Sequence, residues 1–266
     1  MKYQIDHDIH IHSCLSTCSR DPEQNTEAIL DYAKRNKLHT VCLTDHFWDR
    51  TVPGASDWYA PQDYDHVTQS KPLPQAEGHT FLFGCETEFR ADYVLGTPVP
   101  RMDDFSFVII PTTHMHSEFA LAPEDADSNE HRAAAWVRRL DRVLDMDLPF
   151  HKIGIAHLAC PLINRKGHLE VLDLIPTQEL ERVFTKAAAR GCGIELNAMD
   201  FGFSDENAER VLRIFRVAKE CGCKFYLGSD AHHPRDLESA IPNFQRAIDL
   251  LELTEDDKFA LPKQMV

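Results

Sequence analysis

Asp8-Ile9-His10-Ile11-His12 closes a short apolar run that begins almost at the N-terminus. Successive strand side chains alternate faces, so His10 and His12 share one side while Ile9 and Ile11 turn the other way into apolar packing. Two neutral imidazoles at that spacing can hold one metal ion. Taken alone the pair also reads as a polar strand face, and the surrounding chain has to decide.

Outward from this strand, residues 26–34 have helical spacing with Ile29, Leu30 and Ala33 on the buried stripe. Residues 40–44 form a nearly all-apolar strand ending at Asp45-His46. Strand, helix and strand in this order make a βαβ unit, and an all-apolar strand predicts a parallel sheet covered on both faces. The pattern continues with strands at 81–85, running into Glu86, and at 105–110, followed by Pro111-Thr112-Thr113-His114-Met115-His116. Helix 129–145 carries Ala134, Val137, Leu140 and Leu144 on one face. Strand 153–156 ends at His157, helix 177–190 leads to strand 193–197, and helix 204–221 to strand 224–228, which runs into Ser229-Asp230-Ala231-His232. Helix 236–251 closes the fold. Some seven strands mostly separated by helices, without a linker-like break, predict one α/β domain over 1–266, a (β/α) barrel. An open doubly wound sheet is the alternative, but a G-x-G-x-x-G phosphate turn is absent.

The totals agree with one sizeable core. The chain has 266 residues, 43% hydrophobic and 27% charged. A formal charge of -15 argues against tracking along a long nucleic acid, while leaving room for a small anionic substrate if bound cations reverse the local field. The eight cysteines are scattered without a C-x-x-C pair, and the N-terminus enters a strand without an apolar signal segment. No run approaches the ~20 apolar residues that span a bilayer. A cytoplasmic protein with reduced thiols and no membrane partner is the expectation.

His10, His12, His46, Glu86, His114, His157, Asp230 and His232 all lie at or just beyond the C-terminal ends of expected strands. In a (β/α) barrel those ends converge on one face, where active sites form. Polar groups crowded there need a charge to satisfy them. The aromatic connection 47–78, with Trp48, Trp58, Tyr59 and Tyr64, reads as a pocket wall or as cover for the barrel rim.

At these motifs the chain resembles the polymerase and histidinol phosphatase (PHP) superfamily of metal-dependent phosphoesterases. Asp8-Ile-His10-Ile-His12, Thr44-Asp45-His46, Gly84-Cys-Glu86, His114, His157 and Ser229-Asp230-Ala-His232 stand in the family's order. The resemblance implies a distorted (β/α)7 TIM-like barrel with a di- or trinuclear centre. It assigns His10, His12, Glu86 and Asp230 to a first ion, Glu86, His114 and His157 to a second, and His46 and His232 to a third site. Members with the third site filled add a histidine or aspartate in the loop after H-x-H, where this chain offers Cys18 or Asp21.

Mixed imidazole and carboxylate donors suit Zn, Mn or Fe. Two such ions about 3.5–4 Å apart activate a hydroxide and neutralise phosphoryl oxygens. The expected function is hydrolysis of a small phosphate monoester, histidinol-phosphatase-like, with Asp45 or His232 orienting a ligand or relaying a proton. Substrate contacts are expected from Arg90, His116, Arg165 and Asn197, with Lys166, Asp200 and Arg235 as further candidates. The alternatives are a phosphodiesterase or nucleotide-directed hydrolase, an amidohydrolase, for which no strand-end lysine is evident, and a non-catalytic metal-binding module.

Overall fold

The computed structural model describes residues 1–261. Positions 262–266 of the expected 1–266 domain lie outside the described residues. Nine strands are present among the described residues: β1 His7–Ile11, β2 Thr40–Leu43, β3 His46–Phe47, β4 Thr80–Phe83, β5 Cys85–Thr87, β6 Val108–Pro111, β7 Ile153–Ala156, β8 Gly193–Asn197 and β9 Lys224–Gly228. They form two sheets of order β1-β2-β4 and β3-β5-β6-β7-β8-β9, and each strand pair is parallel.

The expected strand 81–85 is two strands. The Gly84 N–H donates to the Leu43 carbonyl (2.8 Å), whereas the Cys85 N–H donates to the Phe107 carbonyl (3.1 Å), so the chain changes partners between β4 and β5. A β-carbon at Gly84 would lie 2.5 Å from the Phe107 oxygen, and only glycine lets the two backbones approach this closely. The run after β2 breaks at Thr44-Asp45 in the same manner before β3. Read as interrupted single runs, β2/β3 and β4/β5 leave the seven strand positions expected from sequence.

β1 lies beside β9, and side chains take over part of the join. His7 Nε2 accepts from the Leu227 N–H at 3.0 Å, and Asp8 Oδ1 accepts from the Ser229 N–H at 2.9 Å. Beyond them the Asp230 N–H donates to the His10 carbonyl at 2.7 Å. Buried polar side chains thus replace ladder acceptors along this seam.

The long helices α1 Thr26–Asn36, α5 Asn129–Asp145, α7 Thr177–Arg190 and α8 Ala208–Glu220 separate strands, and α9 Pro234–Leu250 follows the last strand, as expected. Shorter helices α2 Tyr64–Val67, α3 Val99–Met102, α4 Pro123–Ala126 and α6 His168–Leu174 sit in connections. On α5 the expected Val137, Leu140 and Leu144 are buried together with Ala133, Trp136 and Val143, while Ala134 is exposed. A large apolar cluster joins α5, α7, α8 and α9 to the strands, and α1 packs on β1 and β2 in a separate one. A third, of Ile9, Cys42, Leu82, Ile109, Phe107, Ala156, Tyr226 and Phe259, lies among the strands. Phe259 is held there by its N–H donating to the Phe225 carbonyl (2.8 Å) at the start of β9, opposite the strand ends that bear the histidines. Among the described residues no helix is long and apolar enough to cross a membrane.

Candidate metal centre

Strand ends bring the eight expected ligands into three groups: His10, His12, Glu86 and Asp230; Glu86, His114 and His157; and His12, His46 and His232. Within each group one potential ligand atom per residue lies within 4.8 Å of the others. Glu86 joins the first two groups and His12 joins the first and third.

Hydrogen bonds set which ring nitrogen faces inward. His10 Nδ1–H donates to Glu195 Oε1 (2.6 Å), His12 Nδ1–H to Ser16 Oγ (3.0 Å) and His114 Nδ1–H to Glu88 Oε2 (2.8 Å). His157 Nδ1–H donates to Thr113 Oγ1 (2.8 Å) and His232 Nδ1–H to the Asp230 carbonyl (2.7 Å). Each ring then keeps its Nε2 for the interior. His10 Nε2 and His12 Nε2 stand 3.2 Å apart, with Glu86 Oε2 at 3.6 and 3.3 Å and Asp230 Oδ1 at 3.4 and 3.2 Å from them. His157 Nε2 is 3.1 Å and His114 Nε2 3.8 Å from Glu86 Oε1. His46 Nδ1, buried and without a hydrogen-bond partner, faces Glu86 Oε2 at 3.0 Å. Imidazole nitrogens and carboxylate oxygens converge at distances that could hold a cation, and the donor set fits a transition ion.

The electrostatics follow. Burial alone would raise the Glu86 pKa, but His46, His10 and His12 hold it well below the usual carboxylate range. Burial likewise opposes a charge on His12, yet hydrogen bonds to Asp230 and Glu86 raise its pKa to about 9. His157 and Asp230 both have left-handed backbones, φ 36° and 54°. This conformation is uncommon outside glycine and is held here by Glu195 Oε2 accepting the His157 N–H (2.7 Å) and the His10 carbonyl accepting that of Asp230 (2.7 Å).

Asp45 touches no ring. Its Oδ1 accepts from the Ser13 N–H (2.7 Å) and Ser16 Oγ (2.6 Å), and Oδ2 accepts from Ser13 Oγ (2.7 Å). It bears on the ligands through Ser16, whose Oγ also accepts the His46 N–H (3.1 Å). Any orienting of a ligand by Asp45 therefore runs through Ser16, because the backbone between β2 and β3 turns its carboxylate toward the loop after β1.

The groups open into a cavity of about 560 Å³. Glu86, His46, His114, His157, Asp230 and His232 form its floor. His116 is on its wall, with a pKa lowered to about 4, chiefly by burial and then by His114 and Arg165. Arg90 is turned away: it pairs with Asp92 and donates to the Pro53 and Gly54 carbonyls, outside the lining. Arg165 and Lys166 are exposed and also outside the lining. Asn197 is buried below the cavity, its Nδ2 donating to Glu195 Oε2 at 3.1 Å. Asp200 is buried, accepting the Ala159 N–H at 3.0 Å, and Arg235 lies 3.7 Å from Asp236. Cys18 is on the cavity wall, and Asp21 Oδ1 accepts the Glu23 N–H; neither joins a ligand group.

Sequence reasoning missed Glu195, Glu88, Thr113 and Ser16, which hold the rings. Alternation carried a signal for two of them: Glu195 shares a strand face with Asn197, and Glu88 with Glu86. It also missed Arg139 of α5, buried, whose guanidinium donates to the carbonyls of Thr112 (2.7 Å), Phe89 (2.6 Å) and Ala120, bracing the loops that carry Glu88 and His114.

No family model matches the sequence, and no curated protein matches it. Among solved structures the chain is similar to a histidinol phosphate phosphatase from Lactococcus lactis subsp. lactis Il1403, complexed with Zn, L-histidinol and phosphate. The identity is 16% and the TM-score 0.59, over 91% of this chain and 94% of that one. At this identity the likeness is one of fold.

Proposed function

We propose that the chain is a metal-dependent phosphomonoesterase, histidinol-phosphatase-like in fold and centre, and that its two sheets are one distorted (β/α)7 barrel joined at the β1/β9 seam. The observation that carries this reading is the convergence of His10 Nε2, His12 Nε2, Glu86 and Asp230, with Glu86 shared by His114 and His157. The fold likeness to a phosphatase complexed with Zn and phosphate supports it.

Two ions would be held by His10, His12, Asp230 and Glu86 and by Glu86, His114 and His157, with His12, His46 and His232 available to a third. Bound Zn, Mn or Fe would supply Lewis acidity toward a phosphoryl group and lower the pKa of water. The residues supply the rest. Glu195, Ser16, Glu88 and Thr113 hold the imidazoles in the tautomer that points Nε2 inward. His116, on the wall beside the ligands, is the substrate contact among the residues expected from sequence, and His232 would relay a proton to the leaving oxygen. Asp45 and Asn197 are positioning residues.

The test is hydrolysis of a monoester and its diester counterpart by metal-replete protein, alongside the variants His10→Ala and Glu86→Ala. Monoester turnover abolished in both variants, with the far-ultraviolet spectrum unchanged, is expected. Preference for the diester would favour the nucleotide-directed alternative, and turnover retained in the variants would refute the two-ion reading.

A further inference from the structure

One side of the cavity is aromatic and apolar. Trp58 stands edge-on to His46 (ring centroids 5.0 Å apart, 67° between planes) and to Tyr59 (4.6 Å, 79°). Tyr59 stacks on Phe119 (5.6 Å, 23°), so flat surfaces run from a ligand histidine outward. Pro161, Leu162 and Met199 also line the cavity. Trp58 is 37% and Met199 56% exposed.

The carboxylates of the lining are already engaged. Glu88 Oε2 accepts from His114 Nδ1–H (2.8 Å) and the Tyr59 hydroxyl (2.9 Å), and Oε1 accepts the Phe89 N–H (2.7 Å). Glu86 and Asp230 face the ligand groups. No carboxylate is therefore free for an ammonium group, and the Tyr59 hydroxyl is spent on Glu88. Among the described residues no lysine or arginine lines the cavity. The net charge of -15 further opposes polyanions.

Resting on the phosphomonoesterase reading, we propose that the substrate is the phosphate monoester of an uncharged aryl or arylalkyl alcohol, its ring lying against Trp58 and Phe119. A sugar or an amino alcohol would exchange hydrogen bonds with water for an apolar wall, whereas a ring gains from leaving water. Selectivity belongs to this wall, and the phosphoryl group is left to the centre.

The test compares kcat/KM for 2-phenylethyl phosphate, ethyl phosphate, phosphoethanolamine and L-histidinol phosphate on metal-replete protein. These are all esters of primary alcohols, so intrinsic reactivity differs little. Burial of a phenyl group predicts a preference for 2-phenylethyl over ethyl phosphate of ~10- to 100-fold. Trp58→Ala should bring that ratio toward one and Trp58→Phe should keep most of it; the partial exposure of Trp58 makes both compatible with folding. Calorimetry with the non-hydrolysable 2-phenylethylphosphonate and ethylphosphonate reads the same preference without turnover. Equal binding of the two phosphonates, or a preference for phosphoethanolamine or histidinol phosphate over the phenyl ester, would overturn the proposal. Selective phosphonate binding without hydrolysis of any ester would uphold the wall and defeat the phosphomonoesterase reading instead.

Discussion

His10 Nδ1–H donates to Glu195 Oε1 across 2.6 Å, joining the first strand to the eighth inside a fully buried site. The other oxygen of the same carboxylate accepts the His157 N–H at 2.7 Å. One side chain thus orients a ligand of the first group and anchors the strained backbone of a ligand of the second. Glycine at 228 makes room for it, since a β-carbon there would lie 2.0 Å from Glu195 Oε1.

Glu195→Gln weakens this hold without adding bulk. Metal affinity should fall about 10- to 100-fold, the usual cost of losing such an outer partner, and Gly228→Ala should act in the same direction by displacing the carboxylate. Competition titration with a chromophoric chelator measures both; parent-like affinity in Glu195→Gln would show that His10 needs no carboxylate.

Among the hydrogen bonds of the described residues, Ser16 links Asp45 to the His12 ring and to the backbone N–H of His46. Ser16→Ala should lower metal affinity by at least about tenfold. It also removes one of the donors to buried Asp45, at a cost on the order of 1–3 kcal/mol. Chemical denaturation of the metal-free variant isolates the second effect, and an unchanged midpoint would mean that the remaining Ser13 donors suffice.

Burial pushes the Asp200 carboxyl up to about 7, against the hydrogen bond it accepts from the Ala159 N–H. In the unfolded chain the same group loses its proton near pH 4. Between those values the native state binds more protons, so stability is present below pH 4 and is lost as pH rises toward 7. Asp200→Asn removes the titration. The stability of this variant relative to the parent, both metal-free, should improve on the order of 3 kcal/mol from pH 4 to pH 8. Urea midpoints at the two pH values check this, and a pH-independent difference would contradict it.

Arg139→Met keeps the length of the side chain and removes its donors. Three buried carbonyls, those of Phe89, Thr112 and Ala120, would lose their partner, at a cost on the order of 3 kcal/mol or more. A drop in the denaturation midpoint too small to exceed about 1 kcal/mol would show that water reaches them.

The strand positions and the eight candidate ligands at strand ends were legible because both rest on local pattern. His10 and His12 do meet at one site, but Ile9 packs among the strands and Ile11 against α1, with a register irregularity between Asp8 and Ile11, so simple alternation does not hold there. Parallel strands still put their C-terminal ends on one side. The division of the third strand was not legible, since 81–85 is continuously apolar and the change of partner depends on how closely Phe107 approaches Gly84. Glu195 and His10 are 185 positions apart, so their pairing exists only once β8, β9 and β1 are neighbours. Arg90 shows the reverse error. It lies just past a strand end that bears Glu86 and Glu88, but the loop folds its guanidinium onto Asp92 and the Pro53 and Gly54 carbonyls. A strand end predicts proximity to the barrel mouth, and the loop alone sets direction.

Elemental analysis of protein purified without chelator, paired with hydrolysis of an aryl phosphate monoester, probes the ligand groups themselves. Two or three Zn, Mn or Fe ions per chain should be retained, with metal content and turnover lost together in Glu86→Ala, because Glu86 is shared by two groups. A chain that holds no ion after Zn or Mn is supplied, or that hydrolyses the monoester as well without Glu86, would contradict a metal-dependent phosphomonoesterase.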